Sequence, residues 1–107
     1  MLARGGEIRP WLGVSLSTVT AWVALRNNLA VDKGAIIAEV NPDSPADNAG
    51  LREGDIIVSI DGTEISTAQK LIKVIHSRQI GQEIEITYWR GEDKYTTTAI
   101  LIERPAS

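Results

Sequence analysis

The chain has 107 residues, 43% of them hydrophobic, enough for one domain with a modest core that folds alone with little stability to spare. Eleven basic residues against fourteen acidic ones give a net charge of -3 with no dense Lys/Arg cluster, which argues against a phosphate-tracking surface and nucleic acid as a partner. The absence of cysteine excludes disulfides, thiolate catalysis and Cys-based metal sites, and leaves the compartment open. With no Phe and one Met, the core must come from Ile, Leu, Val and Ala, helped by three Trp and two Tyr.

Residues 1–10 are polar and Gly-rich and read as a linker of an excised domain, without the basic and apolar regions of a signal peptide. No stretch is apolar for long enough to span a membrane, so direct membrane insertion is not expected. Trp11 to Ser17 reads as a first strand. Thr18 to Asn28 carries Val19, Trp22, Val23 and Leu25 at near-helical spacing, which predicts a short helix over one end of the sheet. Lys33-Gly34 marks a turn, and Ala35 to Val40 has the length of a second strand.

In the next segment, Ser44 to Gly62, nearly every residue has its own local task. Ser44 suits a helix N-cap, Pro45 the first helical position, and Gly50 the left-handed stop one turn later. Gly54 allows a tight turn, and Asp55 can fold its carboxylate onto the turn amides. Ile56 to Ile60 is an apolar β-branched strand closed by Asp61-Gly62, and Glu64-Ile65 follows as a strand stub. Ser66 with Gln69 forms a capping box. Behind it Ala68, Leu71, Ile72, Val74 and Ile75 make an apolar face opposite Lys70, Lys73 and Arg78, and Ile80-Gly81 ends this helix. Ile84, Ile86 and Tyr88 alternate with Glu85, Thr87 and Trp89 as a half-buried strand. Arg90 to Asp93 is a hairpin loop, Lys94 to Glu103 pairs back as the last strand, and 104–107 is a tail.

The order of these signals resembles the PDZ family, most closely its bacterial and archaeal protease-associated branch. Trp11-Leu12-Gly13-Val14, Lys33-Gly34-Ala35, the run from Ser44 to Asp55, and Trp89-Arg90-Gly91 are specific as a set, and together they are similar to the PDZ domains of the HtrA/Deg serine proteases. Trp22 to Asp32 departs from that pattern. The resemblance implies an α+β fold over residues 11–103. Its form is a PDZ-like partly open β-barrel or sandwich of five to six strands, capped by two to three helices, in permuted strand order.

Catalysis is not expected of this domain. His76 is the sole histidine, no Gly-flanked serine motif accompanies it, and a helix-terminal location favoured by the helix dipole accounts for it. The carboxylate pairs Asp43 and Asp47, Glu53 and Asp55, Glu83 and Glu85, and Glu92 and Asp93 suit caps, turns and solvent faces. No set has metal-ligand spacing, and no cofactor is implied.

Recognition by strand addition remains. The resemblance makes Trp11, Leu12, Gly13 and Val14 a loop for a peptide's terminal carboxylate, with Gly13 required so that no side chain blocks the approach. Ser15 and Leu16 continue the groove edge, and Ala68, Leu71, Ile72 and Ile75 form its helical wall. Arg9 adds a screened positive charge nearby. For Leu12, Val14, Leu71 and Ile75 the residues themselves leave core and groove both open.

The implied partners are peptides or unfolded segments, preferably with an apolar C-terminus, together with a protease domain of the same, homo-oligomeric parent in the periplasm or cell envelope. Other readings are a PDZ module of a site-2-type metalloprotease, a C-terminal processing protease or a secretion scaffold, or an assembly domain.

Overall fold

A computed structural model describes residues 9–105. The expected linker's residues 1–8 and the last two of the expected tail lie outside them. Among the described residues six strands form an open antiparallel sheet. In spatial order these are β2 (Val14–Val19), β3 (Gly34–Val40), β4 (Ile56–Ile60), β6 (Glu83–Arg90) and β7 (Asp93–Ile100), with β5 (Thr63–Glu64) paired to β4. A separate pair joins β1 (Pro10–Trp11) to β8 (Ile102–Glu103). Among the same residues three helices, α1 (Ala21–Asn27), α2 (Pro45–Asn48) and α3 (Ala68–His76), complete an α+β fold in which the sheet does not close into a barrel.

The apolar face of α3 explains where the core sits. Leu71, Val74 and Ile75 are buried against Ile37, Ile57, Ile60, Ile84, Ile86 and Leu101. Each fully buried aliphatic side chain contributes about 1.5 to 3 kcal/mol of transfer free energy, so this layer dominates stability. The alternation in β6 holds, with Ile84, Ile86 and Tyr88 inside and Glu83 and Glu85 outside.

Five local expectations change. The first strand is broken, because Gly13 adopts a left-handed φ of +90° that separates β1 from β2. The first helix starts later than its apolar spacing suggested. Thr18 and Val19 belong to β2, and Thr20 is the N-cap, its hydroxyl accepting from the Val23 amide at 3.1 Å. Within that shorter helix Ala24 is buried beside Val19 and Ile56, while Trp22 and Leu25 are 64% and 83% exposed. Val19 had extended the apparent helical stripe by borrowing a residue from a strand.

The capping residue of α3 is Thr67 rather than Ser66, its hydroxyl accepting from the Lys70 amide at 3.0 Å. The final strand is split at buried Leu101, so its last two residues leave the main sheet to pair with Pro10 and Trp11. Gly34 opens β3 rather than a turn; a Cβ there would press on the Ile57 carbonyl at 2.9 Å.

Asp55 does fold onto its turn, accepting from the Arg52 amide at 2.8 Å. The same carboxylate, 2% exposed, also holds Arg90 through Nε at 2.9 Å and a second nitrogen at 2.8 Å, and this raises the arginine's pKa above its usual value. Arg90 donates further to the Gly50 carbonyl and lies over the rings of Tyr88 and Tyr95. One side chain thus ties the segment between α2 and β4 to the β6–β7 hairpin. Truncating Arg90 leaves a buried carboxylate short of donors. Because Arg90 keeps some solvent contact, Arg90→Ala is expected to lower the unfolding free energy by about 2 kcal/mol, below the range for a fully buried pair. Urea unfolding measures it; a loss within about 0.5 kcal/mol, the ordinary range for surface changes, would remove Arg90 from this role.

Candidate functional site

The loop between β1 and β2 is shaped by contacts beneath it. The Leu12 carbonyl accepts from the Ala46 amide at 2.9 Å and the Gly13 carbonyl from the Asn41 amide at 2.8 Å. With both carbonyls drawn toward the start of α2, the amides of Leu12 and Gly13 are left without a backbone partner among the described residues. Unpaired amides in a tight turn favour an anionic or carbonyl oxygen.

Gly13 is needed for a reason other than clearance above the loop. A Cβ on it would overlap the Cβ of Ser44, which is wholly buried below and whose Oγ caps α2 by accepting from the Asp47 amide at 3.1 Å. The left-handed φ adds a backbone penalty for any side chain. To the expected block of an incoming ligand the structure adds an internal clash.

β2 is the edge strand of the main sheet, and its far side faces α3. Between them lies a cavity of about 80 Å³. Trp11, Leu12, Gly13, Val14 and Leu16 line it from the strand side, and Leu71, Ile72 and Ile75 from the helix. Leu12 and Leu71, at 3% and 2% exposed, belong to the core as well as to the cavity wall, so the alternatives of core and groove are both realised in one side chain. Ile72 is an exposed rim residue.

Two expected residues do not reach the cavity. Ser15 points to the opposite face of β2, exposed, in register with Glu39. Ala68 is buried at the start of α3, where its amide bonds to the Thr18 hydroxyl. Two others join it, Pro10 and His76. His76 follows Ile72 by one helical turn, a spacing that could have placed it on the same face. Its Nδ1 lies 3.1 Å from an Arg9 terminal nitrogen, and since a guanidinium only donates, that nitrogen is the acceptor in this arrangement.

A larger hollow of about 490 Å³ lies across β4, β5 and β6, beside Trp89, with Lys33, Lys94, Asp32 and Glu64 around it. It is open to solvent and mixes charges of both signs. Among the described residues no group of three His, Asp or Glu side chains gathers as metal ligands would, and no helix is long and apolar enough to cross a membrane.

Comparison with known proteins agrees with this geometry. A family described as PDZ domain matches residues 10–101. A periplasmic, DegP-like serine endoprotease of Brucella suis is 32% identical over 90 residues, covering 84% of this chain and 18% of the relative. The serine protease HhoA of Synechocystis sp. is 32% identical over 106 residues, covering 91% of this chain and 27% of its own. The solved structure of the HtrA-type protease AlgW with a decapeptide superposes with a TM-score of 0.83 at 34% identity, over 94% of this chain and 31% of that one. The chain therefore spans less than a third of the length of these relatives. On the match across residues 10–101 and the shared topology, it belongs to the PDZ domain family and is a binding module of the kind that DegP- and HhoA-type serine proteases carry.

Proposed function

We propose that this domain captures peptide C-termini by adding them as a strand to β2, and that it serves as the regulatory, substrate-recruiting part of an HtrA-like serine endopeptidase outside the cytoplasm. The observation that carries the reading is the coincidence of three features at one place. A free strand edge faces a helix, an apolar cavity lies between them, and the unpaired amides of Leu12 and Gly13 stand at its end. A ligand strand antiparallel to β2 gains main-chain hydrogen bonds along that edge. Its terminal carboxylate meets the two amides, and its last side chain enters the cavity among Leu12, Val14, Leu71 and Ile75. That wall is aliphatic, so an apolar last residue is favoured.

The decapeptide in AlgW supports a peptide as ligand, and the periplasmic description of the DegP-like relatives supports an extracytoplasmic parent. A protease domain of the same chain, and a homo-oligomeric parent, complete the reading.

Affinity is set by a few strand hydrogen bonds and one filled pocket against the cost of ordering a flexible peptide. Peptides with an apolar C-terminus are expected to bind with micromolar Kd, about -7 to -8 kcal/mol. Trp11 lines the cavity, so its fluorescence in a Trp22→Phe, Trp89→Phe background reads the binding directly. Amidation removes the charge held by the loop amides. Hydrogen bonds to charged groups contribute roughly 1.5 to 3 kcal/mol, so the amidated peptide should bind about tenfold more weakly or worse. Equal affinity for acid and amide would overturn the carboxylate assignment.

Gly13→Val forces a side chain into Ser44 and a β-branched residue into positive φ, so the loop must move and its amides lose their aim. Binding should fall by at least about tenfold while the main sheet and α3 keep their circular dichroism. Lys94→Ala, at the far hairpin, should leave Kd unchanged. An effect of Lys94→Ala as large as that of Gly13→Val would place the site on the outer face of the sheet instead.

A further inference from the structure

We infer that β7 pairs with β7 of a second copy of this chain, antiparallel about a two-fold axis through Thr97, so that the domain self-associates at the sheet edge opposite its groove. This does not rest on the peptide reading. The main sheet has two edges, β2 beside the groove and β7 at the far side. β7 runs for 8 residues in unbroken register with β6, whereas β2 is shorter and its register shifts between Ser15 and Leu16. Native sheets blunt a long free edge with proline or a bulge, and β7 has neither.

The hairpin turn fixes which amides of β7 stand at that edge. Gly91, with φ +64°, and Glu92 make a two-residue turn, so Arg90 and Asp93 form a hydrogen-bonded pair. Hydrogen-bonded pairs then alternate along the ladder, and every second residue from Asp93 turns its amide and carbonyl toward β6. Leu101 keeps that parity, donating to the Gln82 carbonyl at 3.0 Å. The amides of Lys94, Thr96, Thr98 and Ile100 therefore point outward, and no backbone partner meets them among the described residues. All four residues are exposed. α2 touches β7 through Thr97, whose hydroxyl donates to the Ala49 carbonyl at 2.9 Å, and none of its own backbone groups bonds to the outward main chain.

An axis through Thr97 sets Lys94 opposite Ile100 of the second copy and Thr96 opposite its Thr98, so outward amides meet outward carbonyls and about eight hydrogen bonds form. The side chains agree with that register. Lys94 lays its stem over the exposed Ile100 and brings its ammonium to Glu83, which stands beside Ile100 on β6. On the other face Tyr95, 43% exposed, comes opposite Ala99, at a hollow of about 250 Å³ between the end of β7 and Pro45, Asn48 and Ala49. Within the paired strands no like charges face each other. The joined sheet is continuous, with a groove left open at either end. A single strand edge buries less than a standard interface of about 1,600 Å², so association of the isolated domain is weak.

The test is sedimentation equilibrium of the domain from about 10 μM to about 1 mM, the range of a weak interface. The weight-average mass should rise from 11.6 kDa at the dilute end toward that of a dimer. Thr96→Pro removes an outward donor and sets a ring on the edge, a change the single copy tolerates because that amide has no ladder partner in it. It should weaken association at least about tenfold with circular dichroism unchanged. Lys94→Glu brings a like charge to Glu83 and should weaken association about threefold or more. Adding Glu83→Lys restores the opposite pair and should recover the wild-type constant to within about twofold. This exchange of charges carries the test if Thr96→Pro fails to fold.

A mass that stays at 11.6 kDa throughout overturns the inference, as does association that survives unweakened in folded Thr96→Pro. Exchange of the two charges without recovery overturns the register centred on Thr97. Association lost in Trp22→Ser or Gly13→Val but kept in Thr96→Pro places the contact on α1 or at the groove, and overturns it as well.

Discussion

The contact between Gly13 and Ser44 is the one on which the groove depends. Ser44 is buried because it caps α2, and its hydroxyl is already committed to the Asp47 amide. Gly13 lies directly over it, in a left-handed conformation that leaves no room for a Cβ. The neighbouring carbonyls of Leu12 and Gly13 are tied down to Ala46 and Asn41, and peptide planarity turns the amides that share those planes, of Gly13 and Val14, the other way. A helix cap and a binding loop are thus two sides of one packing contact. The residue that ends one element shapes the next.

The second wall, α3, is held at both ends by polar contacts from outside the helix. At its start Thr18 reaches from β2 to the Ala68 amide. At its end His76 meets Arg9, just ahead of the short β1–β8 pair. Between those ties, Leu71, Val74 and Ile75 are locked into the core, and Ile72 is left at the rim. The spacing of strand and helix is therefore set by polar contacts at the ends and by aliphatic packing in the middle. Such a wall cannot open far without losing core contacts, which costs several kcal/mol for even one large side chain. A rigid groove with one small cavity suits modest, selective affinity better than broad adaptability.

Away from the groove, the Asp55–Arg90 pair joins the loop that follows α2 to the distal hairpin. It lets the segment from Ser44 to Asp55 act as a fixed base for the binding loop. The two rings under Arg90, Tyr88 and Tyr95, are stacked with centroids 5.7 Å apart and cover the pair on one side. Loop position, sheet and hairpin are mechanically continuous.

What the sequence by itself determined were the features whose physics is local. The cap at Ser44, the stop at Gly50, the Asp55 turn, the strand Ile56–Ile60 and the alternation of β6 all follow from neighbours a few residues away, and all appear in the structure. Most of the cavity wall was anticipated through the resemblance to PDZ domains, which put Leu12, Val14, Leu16, Leu71 and Ile75 along one groove, while their own spacing left core and groove open. Only the tertiary structure decided matters that need two distant segments at once. That Val19 ends a strand rather than starting a helix depends on its pairing with Gly34 across β3. That Gly13 yields to Ser44, that Thr18 meets Ala68 some fifty positions away, and that Arg90 closes on Asp55 are contacts with no sequence period. Local dihedral preference and side-chain periodicity are written along the chain, whereas contacts between remote segments exist only once the core has brought those segments together.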